Sequence, residues 1–117
     1  MRILAINPGS TSTKISVFDE HEDLFTINIK HSTEEINSYK RIIDQYEFRE
    51  KIILRELKQA GIEFSSIDVV VGRGGLVKPI PGGVYRINDA LMRDLKDDKT
   101  RSHASNLGGV LAYEIAR

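Results

Sequence analysis

Three short β-rich stretches occupy the first thirty residues, and two breaks separate them. Arg2 to Asn7 is β-rich and stops at Pro8-Gly9, a pair that does not continue a central strand. After Ser10-Thr11-Ser12-Thr13, the stretch Lys14-Ile15-Ser16-Val17-Phe18 alternates polar and apolar, the period of a half-buried strand. The charged run Asp19-Glu20-His21-Glu22-Asp23 reads as a turn. Leu24 to Lys30 then puts Phe25, Ile27 and Ile29 on one face of a third strand. Three short strands in direct succession predict an antiparallel meander.

The pattern changes at Ser32. It stands three residues before Glu35, the spacing of a capping box at a helix start. Ile36, Tyr39, Ile43, Tyr46, Ile53 and Leu57 follow at helical spacing, interrupted around Glu47, so one long helix is expected as far as Gly61, a left-handed stop. Its charged residues Glu34, Glu35, Asp44, Glu47, Arg49, Glu50 and Lys51 read as a solvated face. Tyr39, Tyr46 and Phe48 read as packing residues. Ile67 to Val71 is β-branched and reads as a strand buried on both faces. A glycine-rich loop, Gly72 to Gly83, precedes a short strand at Val84 to Ile87 and a helix from Asn88 to about Asp97. A last helix, capped by Ser102 or Ser105, carries Leu107, Val110, Leu111, Ile115 and Ala116 at helical period. It runs to Arg117 with no stop signal, so the chain is expected to be a piece truncated in its last helix.

Composition narrows the function. A chain of 117 residues makes one domain that buries about 65% of its unfolded surface. Its charges balance to a formal net of +0, which leaves no electrostatic footprint for nucleic acid and no attraction to anionic membranes. There is no cysteine, so disulfide scaffolds, thiolate catalysis and Cys-ligated zinc are excluded. No apolar run is long enough for a membrane span or a signal peptide, and the expected location is cytoplasmic.

The chemistry concentrates in Asn7-Pro8-Gly9-Ser10-Thr11-Ser12-Thr13-Lys14, between the first two strands. Phosphate binding calls for exposed backbone N–H groups, hydroxyl donors and a cation beside a tight turn. Gly9 allows close approach of the backbone, and Ser10, Ser12, their threonine neighbours and Lys14 supply donors. Asn7 offers a neutral oxygen to a Mg²⁺-bound water or a phosphoryl group. The segment is no Walker loop, because a glycine before Lys14 and a following helix are both missing. The same residues also suit a plain hairpin turn.

Ile3-Leu4-Ala5-Ile6-Asn7-Pro8-Gly9-Ser10-Thr11-Ser12-Thr13-Lys14 closely resembles the first phosphate motif of the acetate and butyrate kinases. These share a superfamily with sugar kinases, heat-shock chaperones and actin. Gly72-Arg73-Gly74-Gly75-Leu76-Val77-Lys78-Pro79-Ile80-Pro81-Gly82-Gly83-Val84-Tyr85 and His103-Ala104-Ser105-Asn106-Leu107-Gly108-Gly109 also resemble the butyrate kinase branch, in the same order along the chain. The resemblance implies an α/β, ribonuclease H-like N-terminal domain with a mixed sheet and flanking helices, its second domain absent. The expected element order agrees with that core. A nuclease on such a fold needs an acid on the first strand for its metals, and Asn7 stands there instead.

The resemblance further implies Mg²⁺- and ATP-dependent, reversible phosphorylation of a short-chain carboxylate, most simply butyrate, to an acyl phosphate. Asn7, Gly9, Ser10, Ser12 and Lys14 would bind phosphate, with Asn7 reaching Mg²⁺ indirectly. Arg73 and His103 would be catalytic, acting on the acyl and phosphoryl groups. Gly74 and Gly75 would leave room in the acyl pocket for a longer chain than acetate. His21 and His31, outside these motifs, read as surface or capping residues. The full-length protein would be a homodimer and the fragment alone inactive. The competing reading is a non-catalytic phosphate- or nucleotide-binding module.

Overall fold

The computed structural model describes residues 1–20, 22–73, 86–87, 92–93 and 106–116. Strands β1 (Arg2–Pro8), β2 (Ser12–Asp19) and β3 (Glu22–Lys30) are followed by helices α1 (Thr33–Asn37) and α2 (Tyr46–Gln59). Strand β4 (Val69–Gly72) and helix α3 (Asn106–Ala116) follow, and 3₁₀ turns lie at Ile42–Gln45 and Phe64–Ser66. The sheet order is β3-β2-β1-β4. The first three strands form the expected antiparallel meander, pairing Leu4 with Val17 and Ile6 with Ile15, and Ile15 in turn with Ile27. A turn at Glu20, with φ at 56°, joins β2 to β3. Because β2 occupies one side of β1, only its other side is open. β4 fills it in parallel, pairing Leu4 with Val70 and Ile6 with Gly72. A parallel neighbour needs a crossover, and residues 31–68 with α2 supply it.

Alternation decides which face is buried. Leu4, Ile6, Ile15 and Val17 lie on one side of the sheet and are almost wholly removed from water. They meet Ile53 and Leu57 of α2, and Leu107, Val110, Leu111 and Ile115 of α3, in one core. Each such side chain contributes about 1.5–3 kcal/mol through burial. Phe25, Ile27 and Ile29 of β3 pack at its margin, on the single face their spacing predicts.

The expected long helix is broken. Ser32 does cap α1 through a full capping box, its hydroxyl accepting from Glu35 N–H while Glu35 reaches back to Ser32 N–H. The helix then stops at Ser38, whose hydroxyl donates to the Glu35 carbonyl at 2.7 Å, and Arg41 is extended. A 3₁₀ turn, Ile42–Gln45, leads into α2. Across this break Ile43 is buried and Ile36, Tyr39 and Tyr46 are half-buried, so spacing alone reads straight through it. Gly61 is left-handed at φ +77° and ends the helical region as expected.

Two further expectations are corrected. β4 is buried on one face only: Val70 packs on the core while Val69 and Val71 are exposed. Helices α2 and α3 both contribute to the core on the Val70 side, so this β-branched run is covered on one face and is the last strand of the sheet among the described residues. Ala116 is exposed, although Leu107, Val110, Leu111 and Ile115 of its helix are buried as their period demands. Of the strand expected at Val84 to Ile87 only Arg86 and Ile87 are described, and neither is in a strand, although Ile87 packs against the core. Of the helix from Asn88 only Met92 and Arg93 are described, both helical, with Met92 buried. The caps at Ser102 and Ser105 lie outside the described residues.

Candidate functional site

The β1–β2 hairpin places the phosphate-motif residues at one end of the sheet. Asn7 and Lys14 are cross-strand partners, and Lys14 in turn pairs with Asn28 of β3. All three side chains alternate with the core positions, so they form a row on the face opposite the helices, and all three are exposed. Ser12 shares that parity, while Ser10 and Thr11 form the tip. At the tip the Gly9 N–H donates to the Ser12 carbonyl at 2.7 Å, so that N–H is already engaged by the hairpin. A Cβ at Gly9 would stand 3.1 Å from the Ser12 hydroxyl, a tight contact that a small shift of that side chain would relieve.

Arg73 joins the row from β4. Its backbone N–H continues the parallel ladder, donating to the Ile6 carbonyl at 3.0 Å. Its side chain has the parity of Val69 and Val71 and therefore lies on the open face. There Nη1 donates to Asn7 Oδ1 at 3.4 Å. Two cations, Lys14 and Arg73, thus flank the Asn7 amide, and neither forms an ion pair among the described residues. The arrangement is suited to an anion.

Helix α3 begins beside Arg73 because two glycines remove the side chains between them. A Cβ on Gly72 would run into the Gly108 carbonyl, and one on Gly108 into the Arg73 backbone. The first turn of α3, whose N–H groups carry partial positive charge, is therefore held close to the end of β4. Of the remaining candidates, His103, Gly74 and Gly75 lie outside the described residues.

The residue that sequence reasoning misassigned is Arg49. It is fully buried, not part of a solvated face. Its Nη1 donates to the Gly9 carbonyl at 2.7 Å, the Ser12 carbonyl at 2.9 Å and Thr13 Oγ1 at 3.3 Å. Its Nη2 donates to the Ser10 carbonyl at 3.3 Å, and both Nη2 and Nε donate to Gln45 Oε1, at 2.8 and 3.2 Å. Burial lowers its pKa to about 10, which leaves it charged at neutral pH. No carboxylate neutralises it in this set; carbonyl dipoles spread its charge. A signal was present: Arg49 stands four residues before Ile53 and eight before Leu57, in line with the buried stripe of α2.

His31 also departs from its surface reading. It is buried, its ring stands edge-on to Phe48 at 5.2 Å between centroids, and its Nε2 lies 2.8 Å from Thr13 Oγ1. The Thr13 oxygen already accepts from Arg49, which only donates. A hydroxyl oxygen can accept twice and donate once, so this contact suits either ring tautomer, and Nδ1 is buried with no partner among the described residues. Burial, and secondarily the charge of Arg49, push the His31 pKa down.

Asn7 Oδ1 faces the Arg73 guanidinium, and no group of three acidic, histidine or cysteine side chains comes together among the described residues. No described helix is long and apolar enough to cross a membrane. No protein-family model matches the chain.

Proposed function

We propose that the chain is the phosphate- and substrate-binding part of a short-chain acyl kinase that phosphorylates butyrate with ATP, giving butyryl phosphate and ADP. The observation that carries this reading is the convergence of Asn7, Lys14 and Arg73 on one open end of the sheet, beside the hairpin tip. The resemblance of the three motifs to the acetate and butyrate kinases supplies the reaction. The strand order, three antiparallel strands with a parallel fourth beside the first, supports a ribonuclease H-like core.

In this reading the carboxylate is already ionised at neutral pH and needs no strong base. One of its oxygens attacks the γ-phosphorus in line. The bond from that phosphorus to the β,γ-bridging oxygen breaks, and ADP leaves with the electron pair. Little covalent work falls to the protein, so positioning and charge stabilisation dominate. Lys14 and the hairpin tip bind phosphate, and Arg73 offers its planar fork to the carboxylate and the transferring group. His103 stabilises charge on the equatorial oxygens.

The test is hydroxylamine trapping of acyl phosphate by the protein purified from the cells that make it, at whatever length it has there. Butyrate- and ATP-dependent hydroxamate, lost in Arg73→Ala, supports the kinase. Phosphate or nucleotide binding that Lys14→Ala weakens, with no hydroxamate, overturns it in favour of a non-catalytic binding module.

A further inference from the structure

We infer that Arg49 is a positioning residue that presents the Ser10 and Thr11 backbone N–H groups, from beneath, to a phosphoryl oxygen. The inference rests on the phosphate-binding role proposed for the hairpin.

The argument begins with the carbonyls of the loop, each of which is committed. Gly9, Ser10 and Ser12 oxygens accept from Arg49, and the Thr11 oxygen accepts from His31 N–H at 2.8 Å. A trans peptide sets its N–H opposite its C=O. The Gly9–Ser10 and Ser10–Thr11 peptides both turn their oxygens towards the buried guanidinium, so the N–H groups of Ser10 and Thr11 point away from it. Arg49 comes from the helix-covered side of the sheet, whereas Lys14, Asn7 and Arg73 occupy the other side. No described residue accepts from the Ser10 or Thr11 N–H. Two adjacent outward N–H groups beside Lys14 make a concave donor pair for an anionic oxygen.

Arg49 is itself fixed. Gln45, one turn earlier and also buried, receives two of its N–H groups, so the fork has one orientation. A lysine carries its donors on one atom and lacks the fixed fork that meets Gln45 and the loop carbonyls together. The positive charge also lies behind the amides, adding attraction for an anion it never touches.

The experiment follows backbone amide resonances of Ser10 and Thr11 by NMR while inorganic phosphate, then pyrophosphate, is added to the wild-type chain, Arg49→Met and Gln45→Leu. In the wild type both amide protons should shift downfield on saturation. Arg49→Met should lose that response and weaken binding at least tenfold, with the Leu4, Val17 and Leu111 methyl signals unchanged. Gln45→Leu, a milder change that leaves the guanidinium present but unfixed, should weaken binding about three- to tenfold and covers the case in which Arg49→Met does not fold. Lys14→Ala should weaken binding while the Ser10 and Thr11 amides keep their response. An undiminished amide response in Arg49→Met, or in Gln45→Leu if that is the folded variant, overturns the inference while the phosphate site stands. No response in the wild type overturns the phosphate site itself, and the role of Arg49 with it.

Discussion

The carbonyl of Gly108 occupies the place where Gly72 would carry a Cβ, so helix α3 rests on the end of strand β4 backbone to backbone. This contact carries the Arg73 end of the site, because the opposing obstacle at Gly108 is the Arg73 main chain. Gly108→Ala should destabilise the protein by about 1–3 kcal/mol, since neither backbone segment can yield without moving a whole element. Urea denaturation measures it, and a change below about 0.5 kcal/mol would show the contact to be loose.

Arg73 and Lys14 give the opposite expectation. Both side chains are exposed, so Arg73→Ala should leave stability within about 0.5 kcal/mol of the wild type. On the proposed reading, the same change lowers kcat for hydroxamate formation by about 10²–10³-fold. A variant with normal turnover would remove Arg73 from the chemistry.

His31 makes stability depend on pH. Its folded pKa lies below the ordinary 6.5, so the unfolded chain takes up a proton before the folded one does. Stability is complete above about pH 6.5 and falls as pH drops from there through the lowered folded value. His31→Gln keeps an amide within reach of Thr13 but does not titrate. Thermal melts at pH 7.5 and 5.5 should therefore show a smaller fall in Tm for His31→Gln than for the wild type. Equal falls would mean that the buried ring is protonated as readily folded as unfolded.

Gly75 tests the substrate, on the strength of the sequence resemblance. Butyrate has two methylenes more than acetate, each worth about 0.8 kcal/mol when buried. On the proposed reading, Gly75→Val in a full-length enzyme should move relative kcat/KM towards acetate by about tenfold. An unchanged ratio would leave these glycines a purely conformational role.

What the sequence made legible was local. β-rich composition ended by Pro8-Gly9 located the first strand, alternation the next two, Ser32 and Glu35 a helix start, and Gly61 a stop, because each signal acts within a few residues. Lys14 and Asn7 were legible as a pair for the same reason, being joined by a short hairpin. Arg49 was not, since its partners are backbone carbonyls some forty positions away and a carbonyl has no letter in the sequence. Binary patterning places a charged residue in water by default, and only its alignment with Ile53 and Leu57 argued otherwise. The burial of β4 failed on the same ground. Val69-Val70-Val71 states that a strand forms, while its one-sided cover is a property of where the helices lie.

The Arg49 clamp grips main-chain atoms, which every amino acid shares. Ser10 and Thr11 can then be exchanged one at a time with the loop's shape preserved, so an evolving lineage or a designer is free to retune what the tip recognises without rebuilding it. Variation there should be permissive for folding and selective for ligand, whereas Arg49 and Gln45 admit almost none. In a saturation-mutagenesis map, the hairpin tip should stand out as tolerant ground resting on two intolerant positions more than thirty residues downstream.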